Sequence, residues 1–177
     1  HGLAYVRIAP GGDFGRSPYV FMDDMLAARQ ITDRLLDLGH RRIAFIDGPP
    51  EHTAATRRRH GYLAALGARG VTPCADLIQS GDFESLSGFE AAERLLDLSD
   101  PPTAIFAAND GMAVGVLAAA AKRGLSVPGS LSVVGFDDSP VAASAWPRLT
   151  TVHQPVAEMA EAAADMLIDG FGDKRFR

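Results

Sequence analysis

The sequence predicts an α/β protein built on a doubly wound parallel sheet, and three observations lead to this fold class. First, apolar runs rich in β-branched residues, such as 131–136, lack polar alternation and therefore predict strands buried on both faces. Second, between about residues 43 and 136 such runs alternate with amphipathic helical patterns. Third, the connections suit right-handed crossovers between parallel strands, with helices on both faces of the sheet.

Taken in order, each element has its own signal in the sequence. Strands are predicted at 3–8, 19–22, 43–46, 76–79, 103–107 and 131–136, and an extended segment at 147–152. Apolar residues at helical spacing predict helices after Asp24, over about 54–68, around 89–96, after Asp110 and over 158–168. Gly39 and Gly124 end two of these helices, and Ser85 or Ser87 is a candidate cap for a third.

The bulk composition restricts the classes of function. The formal net charge of -5 argues against a segment that grips nucleic acid through its own charge. The single cysteine, Cys74, excludes an internal disulfide and fits a reducing compartment. No apolar run approaches the ~20 residues of a membrane span.

Four consecutive predicted strands end in polar or otherwise unusual clusters. The clusters are Gly48-Pro49-Pro50, Gly81-Asp82-Phe83, Asn109-Asp110 and Asp137-Asp138. In a parallel sheet all four ends open onto one edge, where ligands of open α/β sheets bind. Carboxylate and amide groups suit the hydroxyls or ring nitrogens of a small polar ligand, and Phe83 offers a flat face to a ring. One guanidinium from the run 57–59 could reach the same edge.

Each of these residues also has a structural interpretation. Asn109 or Asp110 could cap the following helix, and Asp137 and Asp138 could do the same before Pro140. Phe83 could be a core residue, and the arginine run could be a solvated face. The Asp137-Asp138 pair could also bind a divalent cation, but the sequence lacks phosphate-loop, dinucleotide-binding, nucleophile-elbow and zinc-ligand patterns. We therefore predict no catalytic residue, no metal site and no cofactor.

Six stretches together resemble the LacI/GalR family of bacterial transcription regulators. They are 38–46, 81–83, 102–110, Val127-Pro128, 132–138 and 149–155, which occur in the order and at the spacing of that family across residues 19–170. The resemblance implies a two-lobed effector domain similar to periplasmic sugar-binding proteins. Residues 1–23 would then be a fragment of the first lobe, 24–152 the second lobe, and 153–177 the crossover and return helix of the first lobe. Both ends of the chain would be cuts.

The resemblance also assigns ligand-binding residues by position. Arg58 matches the effector-binding arginine of the family, and Phe83 matches the aromatic residue that stacks on the effector ring. Asn109 resembles the polar residue that the family places after this strand of the series, and Asp137 matches the carboxylate that accepts hydrogen bonds from the effector. Ala54 departs from several members, which place a hydroxyl there.

The implied function is to bind a sugar or related small polar metabolite between lobes and so modulate operator DNA binding. The implied partners are a small-molecule effector, operator DNA reached through a helix-turn-helix domain absent from this chain, and a second copy in a homodimer. The implied location is the cytoplasm, without a membrane partner. Two alternatives stay open: a periplasmic sugar-binding protein of a transporter, and a small doubly wound metal-dependent enzyme. The stretches 40–43 and 135–138 favour the regulator.

Overall fold

The computed structural model describes residues 4–11, 15 and 17–170, which form two compact units. The larger unit is Asp24–His153, and the smaller is made of the described parts of His1–Asp23 and Gln154–Arg177. The strands are β1 Arg7–Ile8, β2 Tyr19–Val20, β3 Ile43–Asp47, β4 Ile78–Ser80, β5 Ala104–Ala107, β6 Ser132–Asp137 and β7 Thr150–His153. The α-helices are α1 Asp24–Asp37, α2 Thr53–Ala68, α3 Ser85–Leu96, α4 Asp110–Lys122, α5 Pro140–Ser144 and α6 Val156–Asp169.

The larger unit is a five-stranded sheet in the order β4-β3-β5-β6-β7, with every neighbouring pair parallel. Helices α1 and α2 pack together, as do α3 and α4. Right-handed crossovers place α2 on one face and α3 with α4 on the other, because the connection from β3 to β4 runs opposite to the next two. The predicted doubly wound parallel fold is therefore confirmed.

The chain runs from β3 outward to β4 and then back past β3 to β5, so the connections that follow β3 and β5 leave the sheet in opposite directions. Such a switch point leaves a crevice at the carboxyl edge of an open α/β sheet, because the loops after the two strands lead to opposite faces. The topology thus singles out one place on the sheet edge before any side chain is considered.

The core of this unit lies against the three central strands. All of β5, and all of β3 except Asp47, are buried, as the unbroken apolar runs predict. Phe45 stacks on Tyr62 and meets Phe106 edge to face, each with ring centroids 5.1 Å apart. The Tyr62 hydroxyl donates to the Ile43 carbonyl oxygen at 2.8 Å, and burial raises the pKa of this phenol, so it stays a neutral donor.

Three local predictions need correction. The first strand covers only Arg7–Ile8, since residues 4–6 are not in a strand and residue 3 lies outside the described part. The segment predicted as a strand at 76–79 begins instead as a 3-10 helix, Ala75–Leu77, before β4. Neither Ser85 nor Ser87 is the N-cap of α3. That position belongs to Glu84, and the Ser87 hydroxyl instead accepts from the Asp82 amide.

The smaller unit contains a parallel pair, β1 and β2, and the helix α6, which contacts both strands. Among the described helices, none combines the length and the apolarity that a bilayer crossing requires.

Candidate functional site at the carboxyl edge of the sheet

The four site residues predicted from the sequence line one cavity in the larger unit. The cavity has a volume of about 260 Å³ and is lined by the predicted residues Arg58, Phe83, Asn109 and Asp137, together with His52 and Ala54. The segments that carry them follow β3, β4, β5 and β6, so the cavity lies at the carboxyl edge near the switch point. These four side chains lie together because parallel strands place the loops that follow them at one edge of the sheet.

Arg58 is the buried anchor of the cavity. Its residue surface is only 4 % exposed, in contrast to the solvated face that an arginine run usually forms. Nε donates to Asp24 at 2.9 Å, and Nη1 donates to the Ala108 carbonyl at 2.7 Å and to Asp137 at 3.1 Å. The guanidinium carbon also lies 3.7 Å from the centre of the Phe136 ring. These contacts fix the guanidinium in one place, so Arg58 orients the Asp137 carboxylate.

Asp137 ends β6 with its carboxyl group at the cavity. Its burial raises the pKa of this carboxyl to about 6, and the charges of Asp110 and Asp24 act in the same direction. The neighbouring Arg58 guanidinium opposes the rise but does not cancel it. At neutral pH Asp137 is therefore ionised in a partly desolvated setting, where a carboxylate is a strong hydrogen-bond acceptor.

Phe83 and His52 form the aromatic wall of the cavity. Their ring centroids lie 5.4 Å apart with the planes nearly perpendicular, at 80°. Phe83 is partly exposed, so its ring is not simply a core residue. His52 was missed by sequence reasoning because it stands at the N-cap of α2, outside the strand-end clusters.

Asn109 has a structural role whatever else it does. Its Oδ1 accepts from the Met112 amide at 2.9 Å and so caps α4, while Nδ2 donates to the Phe83 carbonyl oxygen at 2.9 Å. The capping interpretation is thus correct for Asn109. The same side chain joins the loops after β4 and β5, which holds the Phe83 backbone beside the cavity.

The backbone adopts unusual conformations at this edge. Phe83, Asp137 and Asp138 have positive φ angles of 72°, 112° and 55°. Non-glycine residues pay a conformational cost there, and such residues concentrate at ligand sites, where the surrounding structure holds them. The strain therefore coincides with two of the four predicted site residues.

The two acidic residues at the end of β6 have different surroundings. Asp137 contacts Arg58, whereas Asp138 Oδ2 lies 3.0 Å from His153 Nδ1. Helix α5 begins after Ser139, and no side chain caps it, so neither Asp137 nor Asp138 is the cap that their position allowed. Across the described part of the chain, no group of three or more His, Cys, Asp or Glu side chains is arranged to hold a metal ion.

A second and larger cavity, of about 420 Å³, occurs elsewhere in the same unit. It lies near α1 and the amino-terminal half of β6, and its walls include Leu35, Leu38, Pro128, Val133 and Pro147. None of the predicted site residues lines it. Most of its wall residues are apolar, and its two charged ones, Arg34 and Arg148, are exposed rather than buried.

Comparison with known proteins agrees with this fold and topology. A family model described as a periplasmic binding protein-like domain matches residues 32–176. The chain belongs to this family. Its relatives are LacI-type regulators, so the predicted membership in the LacI/GalR group is confirmed.

Two curated relatives illustrate the similarity. The ribose operon repressor of Escherichia coli K12 is 41 % identical over 154 residues, which cover 87 % of this chain and 47 % of the repressor. The HTH-type transcriptional regulator CelR of Thermobifida fusca is 42 % identical over 151 residues, covering 85 % of this chain and 44 % of CelR. The chain thus spans about half the length of the curated relatives that it matches.

Solved structures show the same relationship. A CelR–cellobiose complex matches with a TM-score of 0.87 and 40 % identity, covering 94 % of this chain and 51 % of that one. A LacI-family regulatory protein from Chloroflexus aggregans matches with a TM-score of 0.87 and 34 % identity, covering 98 % of this chain and 62 % of that one. The LacI-type relatives are transcription regulators and not enzymes, so the metal-dependent enzyme is the wrong alternative.

Proposed function

We propose that this periplasmic-binding-protein-like domain binds a sugar or a related small polar metabolite at the carboxyl-edge cavity. The observation that carries the proposal is the meeting of an ionised, partly desolvated carboxylate, Asp137, with an aromatic face, Phe83, in one cavity. Sugar hydroxyls donate to carboxylates, and the apolar face of a sugar ring packs on an aromatic ring. The cellobiose bound in the related CelR structure supports this ligand class.

Each residue has a distinct proposed role. Asp137 accepts hydrogen bonds from ligand hydroxyls, and Arg58 orients Asp137 and contributes positive charge at the cavity. Phe83 stacks on the ring, and the second hydrogen of the Asn109 amide is available to a ligand oxygen. His52 extends the aromatic wall. Ala54 leaves one side of the cavity without a hydroxyl donor, which bears on ligand specificity.

We further propose that effector binding in the whole protein modulates operator DNA binding. The relatives named as operon repressors and HTH-type regulators support a separate DNA-reading domain. The proposal includes a cytoplasmic homodimer, which is what the resemblance to LacI/GalR regulators implies. The net charge of -5 fits this division, since DNA contacts favour an excess of positive charge and this chain carries an excess of negative charge. The effector can act as a switch only if it binds two states of the domain with different affinities. The proposed domain division places residues 1–23 in the first lobe and residues 24–152 in the second lobe. Residues 153–177 then form the crossover and return helix of the first lobe.

Nuclear magnetic resonance of the 177-residue chain tests the proposed ligand class. Isotope-labelled protein would be titrated with D-ribose and cellobiose and, as comparators in which a ribose carries a base, with adenosine and uridine. The proposal expects saturable shifts that cluster on His52, Phe83 and Asn109. Shifts confined to the larger cavity around Leu35 and Pro147, or none at the carboxyl edge with any of the four compounds, would contradict it.

A further inference from the structure

We propose that Asp110 is a positioning residue, whose buried carboxylate holds the backbone turn at 137–139 so that Asp137 faces the cavity. The inference deepens the proposed function, because the presented group is the proposed ligand acceptor. Asp110 itself does not line the cavity.

Asp110 is a buried charge that is compensated by hydrogen bonds. The residue is 0 % exposed, and no described Arg, Lys or His forms an ion pair with it. Its Oδ2 accepts from the Ser139 amide at 2.7 Å and from the Ser139 hydroxyl at 2.9 Å, and its Oδ1 accepts from the Thr151 hydroxyl at 2.5 Å. It is also the first residue of α4, where the helix dipole favours negative charge. An uncompensated buried carboxylate would be costly, so these donors are necessary partners.

The donors belong to the chain segments that enclose the strained turn. Ser139 directly follows Asp137 and Asp138, and Thr151 lies on β7, the neighbour of β6. The Thr151 hydroxyl also accepts from the Asp138 amide at 3.3 Å. Asp110 thus holds the turn through Ser139, at the end of the turn, and through Thr151 on the adjacent strand. Residues with φ angles of 112° and 55° persist only where neighbouring groups hold them, and Asp110 supplies this constraint.

Two further observations connect Asp110 with β6 and with Asp137 at its end. A Cβ atom at Gly135 would lie 2.4 Å from Asp110 Oδ1. A glycine at this position of β6 therefore leaves the space that the Asp110 carboxylate occupies. In addition, the negative charge of Asp110 contributes to the raised pKa of Asp137, second to burial among the causes that raise it. Asp110 therefore affects both the geometry and the protonation of Asp137.

The test uses the whole chain and needs no ligand. In wild type, a ¹³C-detected titration of the Asp137 carboxyl is expected to give a pKa of about 6. In Asp110→Asn the midpoint should fall, because a nearby negative charge is removed and the turn is released to solvent. Amide hydrogen exchange at Ser139 should also accelerate, since its acceptor is weakened. Asp76→Asn removes an exposed carboxylate that is distant in sequence from the turn, and it should change neither the Asp137 titration nor the exchange at Ser139.

Thr151→Val serves as a second variant if Asp110→Asn does not fold. This nearly isosteric change removes the Thr151 hydroxyl that holds the Asp110 carboxylate, so exchange at the Ser139 amide, which donates to that carboxylate, should accelerate. An unchanged Asp137 titration with unchanged exchange in a folded Asp110→Asn protein would overturn the inference, as would unchanged exchange at Ser139 in Thr151→Val. A negative sugar titration of wild type would count against the proposed function alone.

Discussion

At the scale of single residues, Arg58 illustrates how burial separates chemically identical neighbours. Three arginines follow one another on α2, yet only Arg58 is buried, with its side chain 5 % exposed against 46 % for Arg59. Arg58 bridges the carboxylates of Asp24 and Asp137, whereas Arg59 makes one longer contact with Asp47 at 3.3 Å. Position in the helix, rather than residue type, therefore decides which guanidinium belongs to the site.

This contrast gives a matched pair of substitutions. Arg58→Ala should lower the free energy of unfolding by about 3–5 kcal/mol, because it leaves the buried Asp24 carboxylate unpaired. Arg59→Ala removes a surface ion pair and should cost about 1 kcal/mol or less. Urea denaturation of both variants measures the difference. Equal losses would show that the Arg58–Asp24 pair does not carry the stability assigned to it.

At the scale of elements, the close contact of α1 with α2 brings Asp24 to Arg58. Gly61 lies at this contact, where a Cβ atom would stand 2.2 Å from the Met25 carbonyl oxygen of α1. A backbone atom cannot move aside as a side chain can, so the two helices require glycine at this position. The same helix has a second glycine, Gly67, whose Cβ would meet nothing within 4 Å.

The two glycines predict opposite effects of the same substitution. Gly61→Ala should lower the free energy of unfolding by about 2 kcal/mol or more, because overpacking forces α1 and α2 apart. Gly67→Ala should be neutral or stabilising by up to about 1 kcal/mol, since alanine is the better helix former. Thermal unfolding followed by circular dichroism compares them. Destabilisation of similar size in both proteins would rule out the close approach as the cause.

The elements also show which features a sequence can predict. Helical periodicity located α1, α2, α4 and α6 to within a few residues, because each helix contains its own repeating apolar pattern. The short strands β1 and β4 were less accurately predicted, since pairing with a distant partner defines them. Ser87 was a candidate cap by residue type, but its hydroxyl binds the Asp82 amide in the preceding loop.

At the scale of the whole molecule, parallel topology explains why part of the site could be predicted. Once strands alternate with helices, the ends that carry Phe83, Asn109 and Asp137 must open at one edge. Topology does not specify His52, which begins a helix, or the hydrogen bonds that join Asp110 to Ser139 and Thr151. Those contacts link positions 29 and 41 residues apart and depend on side-chain packing that no local pattern encodes.

The most direct test of the account is a calorimetric titration of the chain with whichever sugar gives the largest chemical-shift changes in the magnetic resonance titrations. Wild type should bind it, and Asp137→Asn should weaken binding about 10- to 100-fold, corresponding to the ~1.5–3 kcal/mol of a hydrogen bond to a charged group. Glu90→Gln, at an exposed carboxylate on α3, is the control and should leave the affinity unchanged. Equal affinities of wild type and a folded Asp137→Asn protein would contradict the claim that this carboxylate holds the effector.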